Sequence, residues 1–362
     1  MRFIRFSILL CISIFLVFSC DFKNGSTSDG LKPKAKGAPG EVVLVVDSMT
    51  YEGVVGDEIK STFQSQVEYL SRPEAYFTVR VVKPELLNSV LRTSKNLIYV
   101  TIINDNSRSN RILKSNFTKE TVNLIEKDPS IFKYTKQNEF ARGQEVMHLF
   151  STDEETLARH IAENKKELRA HFNKLEDERT KERLYSAKRE KGIENFILRN
   201  YDCEIMLPAG YEIAIKDENF VWARILDPFV DRNIFISYTD YTSQEQFTKE
   251  SMIQYRDSVS KQHIFGDPEN QDSFMVTELE HFPVFYEEVN FNGKYAVQLR
   301  GMWKTNNLSM GGAFVSYGIV DEKMNRFYYI EGFLYSPGRK QKEYLRELDV
   351  VLQTFQTSKQ GS

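Results

Sequence analysis

The chain has 362 residues, with 51 acidic against 48 basic side chains and a formal net charge of −3. This mildly acidic balance excludes a nucleic-acid-binding role, which requires a concentrated basic face. At 41% hydrophobic residues the chain is long enough to bury two cores, and with three cysteines its stability must come from apolar burial.

The first twenty residues divide into zones typical of an exported bacterial lipoprotein. Two arginines precede an uncharged apolar run over residues 6–18. A membrane-spanning helix needs about 20 apolar residues, so this run fits a signal peptide better. Ser19 followed by Cys20 resembles the lipobox, in which the cysteine is acylated and the chain is cut before it. We predict a signal peptide over residues 1–19 and lipid on Cys20; an ordinary cleaved signal with a chance cysteine is the alternative.

Residues 20–40 predict a lipidated, flexible tether. They are rich in Gly, Ser, Lys and Pro and hold almost no large apolar side chains, so they cannot bury a core. The acidic run that follows the cysteine in some surface-exported lipoproteins is absent. This favours a location in the cell envelope, on the outer membrane and facing the periplasm. With lipid on Cys20, only Cys203 remains, and no intrachain disulfide is expected.

Residues 41–150 alternate short strands and helices, which predicts an N-terminal α/β sandwich domain. The run Glu41 to Val46 is continuously apolar and suits a strand buried on both faces. Leu97 to Ile103 is a second such run. Between them, apolar residues recur at helical spacing from Ile59 to Leu70.

Residues 151–191 predict a long charged helix. Thr152 and Glu155 have the spacing of a capping box at its start. Acidic and basic side chains are interspersed along it, so a solvated helix face is a better interpretation than a basic docking site. The apolar seam fades after Leu175, and the second half is expected to protrude or to bridge the domains.

Residues 192–357 predict an antiparallel sheet domain with two helices, followed by a short tail, 358–362. The clearest hairpin turns at Asn292-Gly293, the preferred pair for a type I′ turn. The alternation around Cys203 predicts a small buried core residue rather than a nucleophile. The fold class is therefore α+β, and we expect residues 192–362 to fold by themselves.

Over nearly the whole mature chain, the sequence resembles an uncharacterised lipoprotein family of the Bacteroidota, known as a domain of unknown function. The matching pieces are Pro39-Gly40-Glu41, Arg142-Gly143-Gln144, Tyr329 to Gly332 and Leu352 to Phe355. The resemblance implies a compartment but no activity. The C-terminal half is also similar in topology to PsbP/Mog1-like modules, including a Leu-Pro-x-Gly-Tyr turn at Leu207 to Tyr211.

No cofactor, metal or catalytic motif emerges from the sequence. The five histidines lack HExxH spacing, and there is neither a P-loop nor a GxSxG elbow. The polar loop Asn104 to Arg111 follows a buried strand, where ligands of α/β sheets often bind, so Arg108 and Arg111 are tentative anion contacts. Arg142 is a third. An ordinary surface loop is the alternative in each case.

Three functions stay open at this point. The first is a membrane-anchored, non-catalytic envelope lipoprotein that binds another envelope protein or a glycan. The second is an envelope or glycan-directed enzyme with an unrecognised site. The third is a structural subunit of a membrane assembly that uses the charged helix as a docking arm.

Overall fold

The computed structural model describes residues 31–267 and 269–357. The predicted signal peptide, the lipidation site at Cys20 and the tail 358–362 lie outside the described residues. Within the part of the chain that is described, no helix is both long and apolar enough to cross a membrane.

A five-stranded, mostly parallel sheet forms the centre of the N-terminal half. Its strands are β1 (Glu41–Val45), β2 (Thr78–Val82), β3 (Asn96–Ile102), β4 (Lys133–Gln137) and β5 (Glu145–Ser151). They lie in the order β2-β1-β3-β5-β4, and β4 is the antiparallel edge. β3 and β5 are buried along their whole length, as their apolar sequences predict for a sheet covered on both faces.

Helices cover both faces of this sheet, which confirms the predicted sandwich. They are α1 (Ser48–Glu52), α2 (Val54–Ile59), α3 (Ser89–Arg92), α4 (Arg108–Lys114), α5 (Lys119–Lys127), α6 (Glu154–Glu163) and α7 (Lys165–Tyr185), with a π-helical turn at Lys60–Gln64 and a 3-10 turn at Pro84–Leu86. Leu157 of α6 and Phe172 of α7 pack on one face, beside Met147. Leu113 of α4 packs on the other face, beside Val146.

The long charged helix is present as two helices, because Asn164 interrupts it. The side chain of Asn164 donates to the backbone oxygen of His160 at 2.8 Å and so ends α6. The start also differs from the predicted capping box: Asp153, not Thr152, accepts from the backbone N–H of Thr156 at 2.8 Å. Asp153 takes this position because its carboxylate is a stronger acceptor at a helix N-terminus than a hydroxyl.

The flexible tether was predicted over residues 20–40, but residues 31–40 are held against the sheet. The prediction therefore extends too far toward the C-terminus. The backbone N–H of Ala35 donates to the oxygen of Arg142 at 2.9 Å, and the N–H of Arg142 donates to Pro33 at 2.8 Å. Ala35 is buried. The composition of this segment could not indicate the contact, because backbone pairing needs no large apolar side chain.

Helix α7 is fixed to the sheet by a buried polar cluster at the N-terminal ends of the strands. Glu176, which is 2% exposed, accepts from Asn96 at 2.9 Å and from the backbone N–H of Gly40 at 3.2 Å. Arg179 donates to Glu176 at 2.6 Å and to the backbone oxygen of Gly143 at 3.1 Å. Two of the segments that carry the resemblance, around Gly40 and Gly143, therefore meet at this helix.

A nine-stranded antiparallel sheet forms the C-terminal half. The strands of this half are β6 (Cys203–Glu204), β7 (Glu212–Lys216), β8 (Phe220–Ile225), β9 (Asp231–Asp240), β10 (Phe265–Asp267), β11 (Asn270–Glu278), β12 (Phe285–Phe291), β13 (Lys294–Thr305), β14 (Gly311–Asp321), β15 (Arg326–Tyr335) and β16 (Gln356–Thr357). The order is β10-β11-β13-β14-β15-β9-β8-β7, with β12 also paired to β13. β6 and β16 form a separate pair.

Three helices pack on this sheet: α8 (Lys191–Tyr201), α9 (Lys249–His263) and α10 (Lys342–Leu352). α9 covers one face, and Trp303 lies in the core there. α8 and α10 cover the other face. α8 was not predicted, and the strand expected around Cys203 shrinks to β6. Cys203 itself is fully buried, as predicted, and this burial raises the pKa of its thiol.

Helix α10 receives its cap from the N-terminal half. Both oxygens of Glu74 accept backbone N–H groups, from Gln341 at 2.6 Å and from Lys342 at 3.2 Å. The ammonium of Lys342 donates to the backbone oxygen of Tyr76 at 2.7 Å. The two halves thus share polar contacts, and independent folding of residues 192–362 stays a prediction.

A buried ion pair joins α9 to the C-terminal sheet. Arg256 and Glu331 are both fully buried and form two parallel hydrogen bonds of 2.8 Å. Tyr329 donates to Glu331 at 2.9 Å, and the guanidinium lies 4.2 Å from the centre of the Phe314 ring. The segment Tyr329 to Gly332, which carries part of the resemblance, therefore supplies two members of a structural network.

Candidate functional site

A large groove surrounds the tip of the β12–β13 hairpin and has a volume of about 1180 Å³. A 3-10 turn at Gln244–Phe247 and the start of α9 form one wall, and the chain around β16 forms another. Its aromatic lining residues are Tyr241, Phe247, Tyr286, Phe291, Tyr295 and Phe355. Its charged lining residues are Glu288, Lys294, Asp321, Glu322 and Lys323.

The hairpin tip is held rigidly by its turn and by the C-terminal segment. Asn292 and Gly293 have φ values of 52° and 86°, which confirms the predicted type I′ pair. The side chain of Asn292 donates to the backbone oxygen of Gln353 at 3.0 Å. The ammonium of Lys294 donates to the hydroxyl of Thr357 at 2.7 Å. These contacts fix the groove wall before any ligand arrives.

One face of the hairpin presents two accessible tyrosines beside a carboxylate. Tyr286, Glu288 and Tyr295 project from the same face because their pairing partners in the register share it. Tyr295 is 52% exposed and Tyr286 is 37% exposed. The ring of Phe247 contacts Tyr295 edge-on at 5.1 Å. Partial burial and the charge of Glu288 raise the pKa of the Tyr295 hydroxyl, which keeps it a neutral donor at physiological pH.

The carboxylate of Asp321 is committed to the floor of the groove. It accepts from the backbone N–H groups of Lys323 at 2.9 Å and Met324 at 3.1 Å. Burial raises the pKa of this carboxyl, but the hydrogen bond from Thr357 and these backbone bonds outweigh burial and lower it. Asp321 is therefore a fixed acceptor that shapes the turn.

The three arginines predicted as tentative anion contacts do not converge. Arg108 and Arg111 are exposed on α4, beyond the C-terminal end of β3. Arg142 precedes β5 at the opposite edge, because β3 and β5 are parallel and in register from Asn96 and Glu145. A strand of seven residues separates the two edges by about 20 Å. Each arginine is exposed, and together they do not form one site.

The polar loop before α4 has a structural use. Asn110 is 1% exposed and accepts from the backbone N–H of Ile102 at 3.1 Å, while its amide donates to Asp105. Asp105 also accepts from Ser107, whose hydroxyl caps α4. Burial opposes ionisation of Asp105, but the hydrogen bonds from Ser107 and Asn110 outweigh it and lower the pKa. These contacts account for the loop's composition without a ligand.

One exposed cluster among the described residues has the donor types of a metal site. Glu278, Glu280 and His281 bring ligand atoms within 4.8 Å of one another. Lys304, however, places its ammonium 2.7 Å from Glu278 and 3.8 Å from Glu280. This hydrogen bond is the main cause that lowers the pKa of Glu278 to about 2. A lysine already occupies the position of a cation, so the donor set fits an ion pair better than a metal.

Two histidines, on α6 and α7, have separate partners among neighbouring side chains. His160 stacks on Phe132 at 4.9 Å, and His171 bonds to Glu145 at 2.9 Å. His148 was not singled out by spacing, yet it is 3% exposed and stacked against Tyr134 at 4.4 Å. Burial lowers the pKa of His148 to about 4.

Sequence reasoning missed the groove because its walls come from four separated segments. The signal that could have indicated it is the pair Tyr286 and Tyr295, aromatic residues at outward positions of a hairpin that was itself predicted.

Comparison with known proteins brings no activity to this groove. Among curated proteins no match is found. The solved Ran-binding protein Mog1p of Saccharomyces cerevisiae is 8% identical, with coverage of 43% of this chain and 90% of its own and a TM-score of 0.28. A mutant form of Mog1 is also 8% identical, with coverage of 44% of this chain and 92% of its own and a TM-score of 0.27. The lipid transfer and protein localization domain of human StarD13 is 8% identical, with coverage of 45% of this chain and 95% of its own and a TM-score of 0.14.

Two family models match the chain, and both describe domains of unknown function. This confirms the predicted resemblance to such a domain, whereas the assignment to Bacteroidota lipoproteins stays a prediction. The boundary between the two matches falls between α7 and α8. The chain is thus similar to two successive domains of unknown function, DUF8532 over residues 35–185 and DUF4837 over residues 190–354.

Proposed function

We propose that the protein is a lipid-anchored, non-catalytic binding protein of the cell envelope and that its groove holds a glycan. The observation that carries the ligand class is the pair of accessible tyrosines, Tyr286 and Tyr295, beside Glu288. The anchor is supported by the apolar run and Ser19-Cys20 at the N-terminus. The outer membrane, facing the periplasm, is the proposed location.

The dimensions and chemistry of the groove suit a chain of sugar rings. At about 1180 Å³ it exceeds the range of roughly 300–1,000 Å³ common for small-molecule pockets. The apolar faces of sugar rings can stack on the rings of Tyr286 and Tyr295, while tyrosine hydroxyls and Glu288 bond to sugar hydroxyls. A glycan needs this alternation of flat apolar surface and hydrogen-bonding groups.

The charges of the groove favour binding over glycoside hydrolysis. Hydrolysis uses two carboxyl groups, one of which acts as an acid with a raised pKa. The pKa of Asp321 is lowered, and its oxygens accept backbone hydrogen bonds. It is therefore a poor proton donor to a leaving group.

The docking arm of the third function is likewise not favoured. Helix α7 was the segment expected to reach a partner, but Glu176 and Thr180 on it are buried. Its Asp177 bonds to Arg346 of α10, so the helix lies between the two halves. One side of this helix is therefore committed to contacts within the protein.

The proposal is tested by calorimetric titration of the purified, full-length mature protein in detergent. The probes are chitotetraose, cellotetraose, laminaritetraose and mannotetraose. At least one should bind, and Tyr295→Ala and Tyr286→Ala should each weaken it roughly three- to tenfold, since an aromatic contact contributes about 0.5–1.5 kcal/mol. Tyr295→Phe should retain most of the affinity, because the ring remains.

The matched control is Phe229→Ala, which removes an aromatic side chain that is 58% exposed and lies outside the groove. It should bind as the wild type does. The glycan proposal is refuted if none of the four oligosaccharides binds, or if both tyrosine variants bind as tightly as the control.

A further inference from the structure

The docked segment before β1 points to a surface for the membrane itself. We propose that the end of the N-terminal sheet where the parallel strands begin, and where residues 31–36 are held, docks on anionic lipid headgroups and orients the protein. We call this surface the basic edge, after the side chains of Lys32, Lys34, Lys36, Arg92, Lys95 and Arg142. This inference rests on the proposed lipid anchor at Cys20. It adds a second contact with the membrane and a defined side of the protein that faces it.

The position of the segment is fixed by pairing on two neighbouring parts of the sheet edge. Lys34 bridges to Arg142 and Lys36 bridges to Ser94, both in parallel register. The N–H of Lys95 donates back to Lys36 at 2.9 Å. Leu31 is therefore the point from which the chain leaves the described body toward Cys20.

The sequence between Cys20 and Leu31 is short compared with the body that it would hold. Its eleven residue steps reach at most about 40 Å when fully extended. A folded body of about 320 residues has a radius of gyration near 20 Å, hence a diameter of roughly 50 Å. A lipid on Cys20 therefore confines this edge to within about 40 Å of the membrane, and the charges of the edge must supply the orientation.

The charges of the edge complement anionic lipid although the whole chain is acidic. Its basic side chains are Lys32, Lys34, Lys36, Arg92, Lys95 and Arg142. The carboxylates nearby are already engaged: Glu41 accepts from the N–H of Ala38 at 3.0 Å, and Glu139 pairs with Lys136 at 3.0 Å. Lys34 and Lys36 are exposed and project from the segment closest to the anchor.

The docked orientation leaves the groove open. Gly40 lies beside Lys342 and Glu343 at the start of α10. The groove wall at Asn292 bonds to Gln353, just past the other end of this helix. A helix of eleven residues spans about 16 Å, so docking of the edge does not bring headgroups into the groove.

The test uses the purified mature lipoprotein reconstituted into phosphatidylcholine vesicles, with or without phosphatidylglycerol. A fluorophore is placed by Gln137→Cys, at the basic edge, or by Asn123→Cys on α5, which packs through Ile125 beyond the opposite edge. Both sites are exposed, and the buried Cys203 stays unlabelled. Headgroup nitroxides should quench the first label more than the second, and only in anionic vesicles at low salt.

Lys34→Glu with Lys36→Glu should abolish the difference, because each lysine near an anionic surface favours docking about fivefold. The matched control, Lys119→Glu with Lys127→Glu on α5, should leave the difference unchanged. Circular dichroism confirms that each variant is folded. Equal quenching of the two labels in protein that enters the vesicles overturns this inference alone. Protein that fails to enter vesicles of either composition overturns the anchor as well.

Discussion

The buried ion pair of the C-terminal half gives the sharpest stability prediction. Glu331→Gln keeps the shape of the side chain but leaves the charge of Arg256 without its counter-ion. Both side chains are fully buried, so water cannot replace the lost partner. The change weakens two bonds of 2.8 Å from Arg256 and one of 2.9 Å from Tyr329. Breaking a buried pair from one side costs about 3–5 kcal/mol of unfolding free energy.

Urea unfolding followed by tryptophan fluorescence measures this loss, because Trp222 and Trp303 both lie in the C-terminal half. For a domain of this size the melting temperature should fall by about 10 °C. Glu287→Gln, an exposed glutamate on β12, is the matched control and should change the free energy by less than about 0.5 kcal/mol. A loss no larger than that of the control would refute the reasoning.

Three further predictions concern the interface, pH and the thiol. Glu74→Ala should lower the free energy of unfolding by about 1–2 kcal/mol in urea titrations, since α10 loses its cap. The control Glu68→Ala, at an exposed position, should leave the free energy of unfolding unchanged. Equal stability of the two variants would contradict the cap. The folded pKa of His148 is about 4, against an ordinary value of 6.5, so the unfolded state binds more protons between these two pH values. About 3 kcal/mol of unfolding free energy should be lost as pH falls from 6.5 to 4, and His148→Phe should remove this dependence on pH. Cys203 should react with Ellman's reagent only after denaturation, and rapid native reaction would contradict its burial.

The core strands could be predicted because the signals for them lie within short stretches of the sequence. β1 and β3 are runs of mainly apolar residues that suit a sheet covered on both faces, and Asn292-Gly293 specifies its own turn. The predicted α+β fold class is confirmed on such signals. A sheet covered by helices in the first half and an antiparallel sheet in the second follow from the period of the apolar residues alone.

The elements that were missed depend on distant residues or on competing periodicities. Ile193, Ile197 and Tyr201 recur at helical spacing in α8, but the alternation from Tyr201 through Cys203 outweighed them and predicted a strand. The helix stops because Asp202 adopts a left-handed conformation with φ of 50°. The cap of α10 was beyond sequence reasoning, because Glu74 lies far away along the chain.

The candidate site was still less accessible from the sequence. Its tyrosines look like ordinary strand residues until the register places Tyr286 and Tyr295 on one face of the hairpin. The tentative contacts Arg108, Arg111 and Arg142 were chosen for their loops, and in the structure these loops lie at opposite edges of the sheet. A polar loop therefore indicates a ligand less reliably than a set of side chains shown to converge.

The anchor on Cys20 is the claim on which the proposed location and orientation both depend, and metabolic labelling with palmitate tests it most directly. Wild-type protein expressed in a bacterial host should incorporate the label and sediment with membranes. Cys20→Ala should incorporate none, and should accumulate as unprocessed or released protein, because the acylated thiol is gone. Labelling of the Cys20→Ala protein at the wild-type level would contradict the lipid anchor.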